Sequence, residues 1–220
     1  MSGFSADWLA LREGADHRSR DAGLASRLAA HLAGRDRVGI VDIGCGTGSN
    51  LRALAPLLGE RQSWRLVDYD PLLLAAARDA LSAWADDAGR EGDRLTLQKG
   101  SRTIEVTFDR RDLVADHEGA LDPAPDLLTA AAFFDLASAA FIARIARSVA
   151  ERGAAFYTVL TYDGRDVWTP PHPADEAMVA AFHAHQGGDK GFGPAAGPKA
   201  TLVLDAAFRS AGYKVWTAQS

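Results

Sequence analysis

The stretch Val41-Asp42-Ile43-Gly44-Cys45-Gly46-Thr47-Gly48-Ser49-Asn50 constrains the fold of this chain more than any other. Apolar residues that read as a short buried strand run into three glycines at alternate positions. Leu51-Arg52-Ala53-Leu54-Ala55 then reads as the start of a helix. Strand, glycine turn and helix together hold a nucleotide-like ligand against backbone N–H groups. Glycine suits such a turn because a Cβ would block both the bend and the close approach of a ligand. About twenty residues further on, Trp64-Arg65-Leu66-Val67-Asp68 reads as a second strand ending in an acid, where a carboxylate can accept both hydroxyls of a ribose. Asp70 and Pro71 follow as the cap and first residue of the next helix.

At 220 residues and 47% hydrophobic composition, one domain with a full core is expected. The net charge of −5 argues against a nucleic-acid partner, and Arg35, Arg37, Arg110 and Arg111 read as solvated. The single cysteine, Cys45, sits in the glycine turn. It offers neither an internal disulfide nor a metal cluster, which fits a reducing cytoplasm. No apolar run is long enough to span a bilayer and no signal-peptide pattern opens the chain, so no membrane partner is expected.

The remaining pattern alternates strands and helices. Residues 5–33 read as two helices separated by Gly14 and the polar cluster 16–20. Residues 38–43 read as strand one, 50–58 as a helix, 65–67 as strand two and 71–84 as a helix. Residues 86–93 read as a loop. Residues 94–98 and 104–108 alternate in polarity as a hairpin whose second arm is the third parallel strand. Strands at 126–132 and 155–161 flank a helix at 141–150. Helices at 174–185 and 199–211 follow, with a glycine-rich loop at 187–194 between them, and then a strand at 213–218. This alternation predicts an α/β, doubly wound, mainly parallel sheet with N-terminal helices.

Asp42, Gly44, Gly46 and Gly48 form D-x-G-x-G-x-G, which resembles motif I of the class I S-adenosylmethionine (SAM) methyltransferases. Asp68 to Arg78 resembles the family's second motif. The resemblance covers residues 37–163 and implies a Rossmann-like methyltransferase fold. Residues 1–36 would form a helical cap and 37–220 a SAM-binding domain, the two making one compact domain. It also implies a further antiparallel edge strand, which the chain, ending at Ser220, does not supply.

The resemblance implies SAM as cofactor, S-adenosylhomocysteine as product and a small-molecule acceptor. Gly44, Gly46 and Gly48 allow backbone approach. Asp42 orients the turn or reaches the methionine amino group through water, and Asp68 holds the ribose. Asp112 accepts the adenine amino group, unless it pairs with a neighbouring arginine, and Leu113 lies against the ring. Cys45, Asn50, Tyr69 and Ala130 complete the expected cofactor set. The N/D-P-P-Y/F motif of amino-methyltransferases acting on DNA bases or glutamine amides is absent, which argues against those substrates. Substrate residues are expected on loops at the carboxyl ends of the strands. Asp135 and His172 are the candidate proton acceptors, beside Tyr162, Asp163, Trp168, His183 and Lys190. Loop 189–194 is read as a lid or a flexible surface loop. No metal site is expected, and the oligomeric state is left open. An NAD(P)-dependent oxidoreductase shares the glycine turn and the strand-two acid, but Ser49 stands where its third glycine belongs. A non-catalytic SAM-binding or interaction module is a third reading.

Overall fold

Two-sided burial of one short strand organises the fold. In Val38–Ile43 (β1), Val38 and Ile40 enter one apolar cluster and Val41 and Ile43 another. All four are at most 2% exposed. A strand covered on both faces needs helices on both faces. The computed structural model describes residues 4–219. In chain order its elements are α1 (Ala6–Arg18), α2 (Ala22–Leu32), β1, α3 (Ser49–Leu54), β2 (Arg61–Asp68), α4 (Pro71–Trp84), β3 (Asp87–Glu91), β4 (Arg94–Lys99), β5 (Arg102–Arg110), α5 (Leu113–Ala120), β6 (Leu127–Ala131), α6 (Ala139–Glu151), β7 (Ala155–Val159), α7 (Asp175–Gln186) and α8 (Ala200–Ser210).

The strands form one seven-stranded sheet in the order β3-β4-β5-β2-β1-β6-β7. β5, β2, β1, β6 and β7 are parallel to one another, whereas β4 runs antiparallel to β5 and to β3. The expected doubly wound, mainly parallel architecture is therefore present. One face is covered by residues of α2, α3 and α4, including Leu28, Leu51 and Leu81. The other is covered by α5, α6 and α8, including Phe141, Ile145 and Phe208. The helices start where the sequence supplies caps. Asp70 accepts the Leu72 N–H at 2.8 Å with Pro71 as first helical residue, Asp21 accepts Leu24 N–H at 2.7 Å, and Ser138 accepts Phe141 N–H at 3.2 Å.

Two expectations are corrected. The segment read as a loop over 86–93 contains β3, which pairs with β4 from Asp87↔Gln98 to Glu91↔Arg94. All five of its residues are exposed, so no buried face imprinted an apolar alternation on it. The strand read over 213–218 is irregular chain without ladder partners. Tyr213 instead donates its hydroxyl to the Ala154 carbonyl at 2.6 Å and packs its ring edge-on to Phe208. The sheet thus reaches seven strands by adding the β3–β4 hairpin beyond β5, while β7 forms the opposite edge. The expectation for the chain end at Ser220, and the start of the expected cap at residues 1–3, lie outside the described residues.

Candidate cofactor and active site

The glycine turn lies between the carboxyl end of β1 and α3, and its three glycines all have positive φ. Cys45 N–H donates to the Val67 carbonyl at 3.1 Å, and Gly48 N–H to that of Cys45 at 2.9 Å. Gly46 N–H donates to Asp68 Oδ2 at 2.9 Å, while Asp68 Oδ1 accepts from Asp70 N–H at 3.0 Å. The carboxylate at the tip of β2 therefore ties the glycine turn to the start of α4. Burial raises the Asp68 pKa, and these backbone donors offset part of that rise. Tyr69, beside it, is 60% exposed with the Arg110 guanidinium near its ring.

Two side chains rest on the turn. A Cβ on Gly44 would come within 2.5 Å of Phe133 Cδ2, and one on Gly46 within 3.0 Å of Leu9 Cδ1. Leu9 belongs to α1, which buries none of its own residues fully. α1 is held by polar ties instead. Glu13 accepts from Arg52 Nε at 2.8 Å, Arg52 also donates to the Thr47 carbonyl at 2.8 Å, and His17 Nε2 lies 3.0 Å from Ser49 Oγ.

Beneath the turn runs a buried polar chain. Asn50 Nδ2 donates to Asp42 Oδ1 at 2.9 Å and to Thr129 Oγ1 at 3.0 Å, and its Oδ1 accepts from Arg20 at 2.8 Å. Asn50 is consequently engaged at both ends as a strut between β1, β6 and the α1–α2 junction, rather than held out toward a ligand. Asp42 has no solvent exposure and its Oδ2 has no partner. Burial pushes its pKa up to about 7, against the opposing pull of Asn50 and Arg20. Sequence reasoning singled out Asp42 and Asn50 but missed Arg20 and Thr129, which no local motif connects to the turn.

The other expected cofactor positions are divided. Asp112 follows β5 and is exposed; its carboxylate caps α5 by accepting Val114 N–H at 2.9 Å. It does not pair with an arginine, since Arg111 pairs with Asp109 and Asp116. Leu113 and Ala130 belong to the buried cluster under α5 and α6. Cys45 is buried, and burial first, then the nearby Asp68 and Asp42 carboxylates, push its thiol pKa up.

Beyond β6 and β7 the backbone is strained. Ala132 and Leu160 are the two non-glycine residues with positive φ among the described residues, and each directly follows a strand end. Asp135 follows the first of them. It is 8% exposed, its Oδ2 accepts from Gln186 Nε2 at 3.3 Å, and its Oδ1 has no partner. Burial raises the Asp135 pKa. One turn earlier on α7, His183 Nε2 lies 2.9 Å from the Tyr162 hydroxyl, which also donates to Asp166. The Tyr162 pKa is pushed up to about 12 by lost hydration and then by Asp166. Gln186 was missed because a glutamine at a helix end carries no motif.

His172 is not brought to Asp135. Its N–H donates to Asp175 Oδ2 at 2.8 Å and its Nδ1 accepts from Ala174 N–H at 3.1 Å, so it organises the start of α7. Gln186, which meets Asp135, ends that helix about 16 Å further along. Asp163 is paired with Arg165. Lys190 is half-buried in the glycine-rich loop. That loop is turned by Asp189, which accepts from Gly191 and Gly193 N–H at 2.7 and 3.0 Å. It is pinned by Phe192, whose ring meets Phe133 and Phe141 at 5.3 and 4.8 Å between centroids.

These residues fit a SAM-type cofactor in kind. Carboxylates stand at the end of β2 and just beyond β5, the turn after the neighbouring β1 is built on left-handed glycines, and a buried acceptor, Asp42 Oδ2, has no partner. Seating a ligand directly on Gly44 or Gly46 requires Phe133 or Leu9 to give way.

No protein-family profile matches the sequence, and no curated protein matches it. Solved structures do. A cyclopropane synthase from Mycobacterium tuberculosis superposes with a TM-score of 0.52 at 10% identity, over 90% of this chain and 65% of that one. Human N-acetylserotonin methyltransferase in complex with SAM gives 0.50 at 11% identity, over 94% and 47%. A possible exported protein from Bordetella parapertussis gives 0.52 at 18%, over 93% and 61%. This chain therefore spans less than two thirds of each of these three. No helix among the described residues is long and apolar enough to cross a membrane. The strand order, the glycine turn after β1 and the acid ending β2 together give this chain a Rossmann-like methyltransferase fold.

Proposed function

We propose that this protein is a SAM-dependent methyltransferase acting on a small-molecule acceptor. The carrying observation is the direct hydrogen bond from Gly46 N–H to Asp68 Oδ2 at 2.9 Å. It joins the two motifs, 22 residues apart in sequence, into one rigid cradle at the carboxyl end of the sheet, where open α/β folds bind ligands.

In this reading Asp68, whose oxygens each retain a free lone pair, holds the ribose. Asp112 and Tyr69 flank the adenine, and Asp42 orients the turn from below. When bound, SAM supplies an activated methyl group on a sulfonium, so the chain's own work is to orient the acceptor and exclude water. Asp135 is the residue suited to hold a proton from the acceptor. It is buried, its Oδ1 is unpartnered, and its raised pKa favours taking up a proton. Gln186, which bonds to it, lies one turn of α7 from His183, the partner of the Tyr162 hydroxyl. Cytoplasmic location belongs to this proposal and rests on the lone reduced cysteine.

Calorimetric titration with SAM, S-adenosylhomocysteine and NADH tests the reading. Micromolar binding of the first two and none of NADH is expected, with Asp68→Ala abolishing it. Unchanged SAM affinity in Asp68→Ala would sink the assignment. NADH binding without SAM binding would transfer it to an oxidoreductase. One observation favours a non-catalytic module instead: Leu9 and Phe133 already cover the turn. That reading predicts binding of neither SAM nor its product, or SAM binding with no methyl transfer to any acceptor.

A further inference from the structure

A groove of about 480 Å³ lies between the loop at residues 160–174 and α7. Its volume falls in the range of small-molecule sites. Val167 and Trp168 contribute apolar surface from the loop, at 89% and 47% exposure, and Val179 contributes from α7. The polar part of its lining is acidic. Asp166, Asp175 and Glu176 all border it, and His183 is the single basic residue that does. None of the three carboxylates is ion-paired among the described residues, and Arg165, next to Asp166, pairs with Asp163 instead.

Helix stability accounts for part of this charge. Asp175 and Glu176 stand in the first turn of α7, and Asp175 accepts the His172 N–H. The helix end offsets only about half a charge. Asp166 lies on the loop, outside that effect, and receives the Tyr162 hydroxyl. The His183 ring is committed to the same hydroxyl at 2.9 Å. Three carboxylates therefore border an apolar groove whose one basic neighbour is already engaged. An accessible indole lies beside them, and a ring face attracts cations.

We propose that this groove binds an organic ammonium ion with an apolar body, the charge lying among Asp166, Asp175 and Glu176 and the apolar part against Trp168 and Val179. The inference does not depend on the methyltransferase reading, because none of the proposed cofactor residues lines the groove.

The test is a titration of the isotope-labelled chain with phenethylammonium and with its neutral isostere 2-phenylethanol, read by amide and indole chemical shifts. Phenethylammonium is expected to shift the Trp168 indole and the Val167 and Val179 amides, binding about tenfold more tightly than the alcohol. Glu176→Gln, whose side chain makes no hydrogen bond in the structure, should weaken it about two- to fivefold without changing the folded spectrum. Raising the salt to half-molar should weaken it further. Equal affinity for amine and alcohol, or shifts confined to other surfaces, would overturn the proposal. Tighter binding of tetralysine than of phenethylammonium would assign the groove to a basic peptide and overturn it likewise.

Discussion

Asp42 makes the stability of this protein depend on pH in a direction opposite to that of a salt-bridged carboxylate. Its folded pKa is about 7, and its ordinary value is 3.8. The folded state therefore holds the proton more tightly than the unfolded chain does. The stabilisation is complete below pH 3.8 and is lost as pH rises through about 7. The gap corresponds to about 4 kcal/mol in total, of which roughly 3 kcal/mol falls between pH 5 and 8. For a chain of this size that is a fall in Tm of about 6–12 °C. Asp68 and Asp135 are raised by burial too and add to the fall with the same sign. Asp42→Asn keeps an acceptor for Asn50 Nδ2 while removing the titration, and places an amide N–H where Oδ2 has no partner. That orphan donor costs about 1–3 kcal/mol. The variant is therefore expected to be less stable than the parent at pH 5, equal or more stable at pH 8, and clearly flatter between. Thermal melts at half-unit pH steps with matched ionic strength measure this. A parent whose Tm does not fall between pH 5 and 8, or a variant that keeps the full slope, would refute the assignment of the titration to Asp42.

Gly44→Ala combines a left-handed backbone with a methyl 2.5 Å from Phe133, and should cost about 2–5 kcal/mol in urea melts. Adding Phe133→Leu should recover the contact part but not the backbone part. Trp64 is 1% exposed and donates its indole N–H to Gln62 Oε1 at 2.8 Å. Trp64→Phe should cost about 2–4 kcal/mol through lost volume and an orphaned buried acceptor, and Trp64→Phe with Gln62→Leu should cost less than the sum of the two. Glu13→Gln leaves the buried Arg52 guanidinium without its carboxylate partner. Trypsin should then cut at Arg18 several-fold faster, with some loss of global stability from the unpaired guanidinium, and an unchanged rate would show that the ion pair does not hold α1 down.

Much of the fold was legible because its signals are local. A glycine that must take positive φ, an aspartate and proline that cap α4, and the short apolar run of β1 are each written within a few positions. β3 escaped because an edge strand exposed on both faces leaves no alternation to read. The strand expected over 213–218 failed because apolar composition cannot say whether a pairing edge will be within reach. At the candidate site, the acids at the ends of β1, β2 and β5 were readable, but what they bond to was not. Asn50 was expected to face a ligand, and burial with Asp42, Thr129 and Arg20 occupies it fully.

Sequence alone determined the doubly wound fold, the glycine turn and the acid at the tip of β2 that bonds to it, because each depends on a short-range pattern of backbone freedom, capping or periodicity. Tertiary structure alone decided that the hairpin extends the β5 edge, that Leu9 and Phe133 cover the turn, that His172 is tied into the segment leading to α7, and that Asp135 meets Gln186. Those outcomes turn on which distant residues exclude water from one another. Burial of that kind, and the unpartnered oxygens and shifted proton affinities it creates, belongs to the packed chain as a whole.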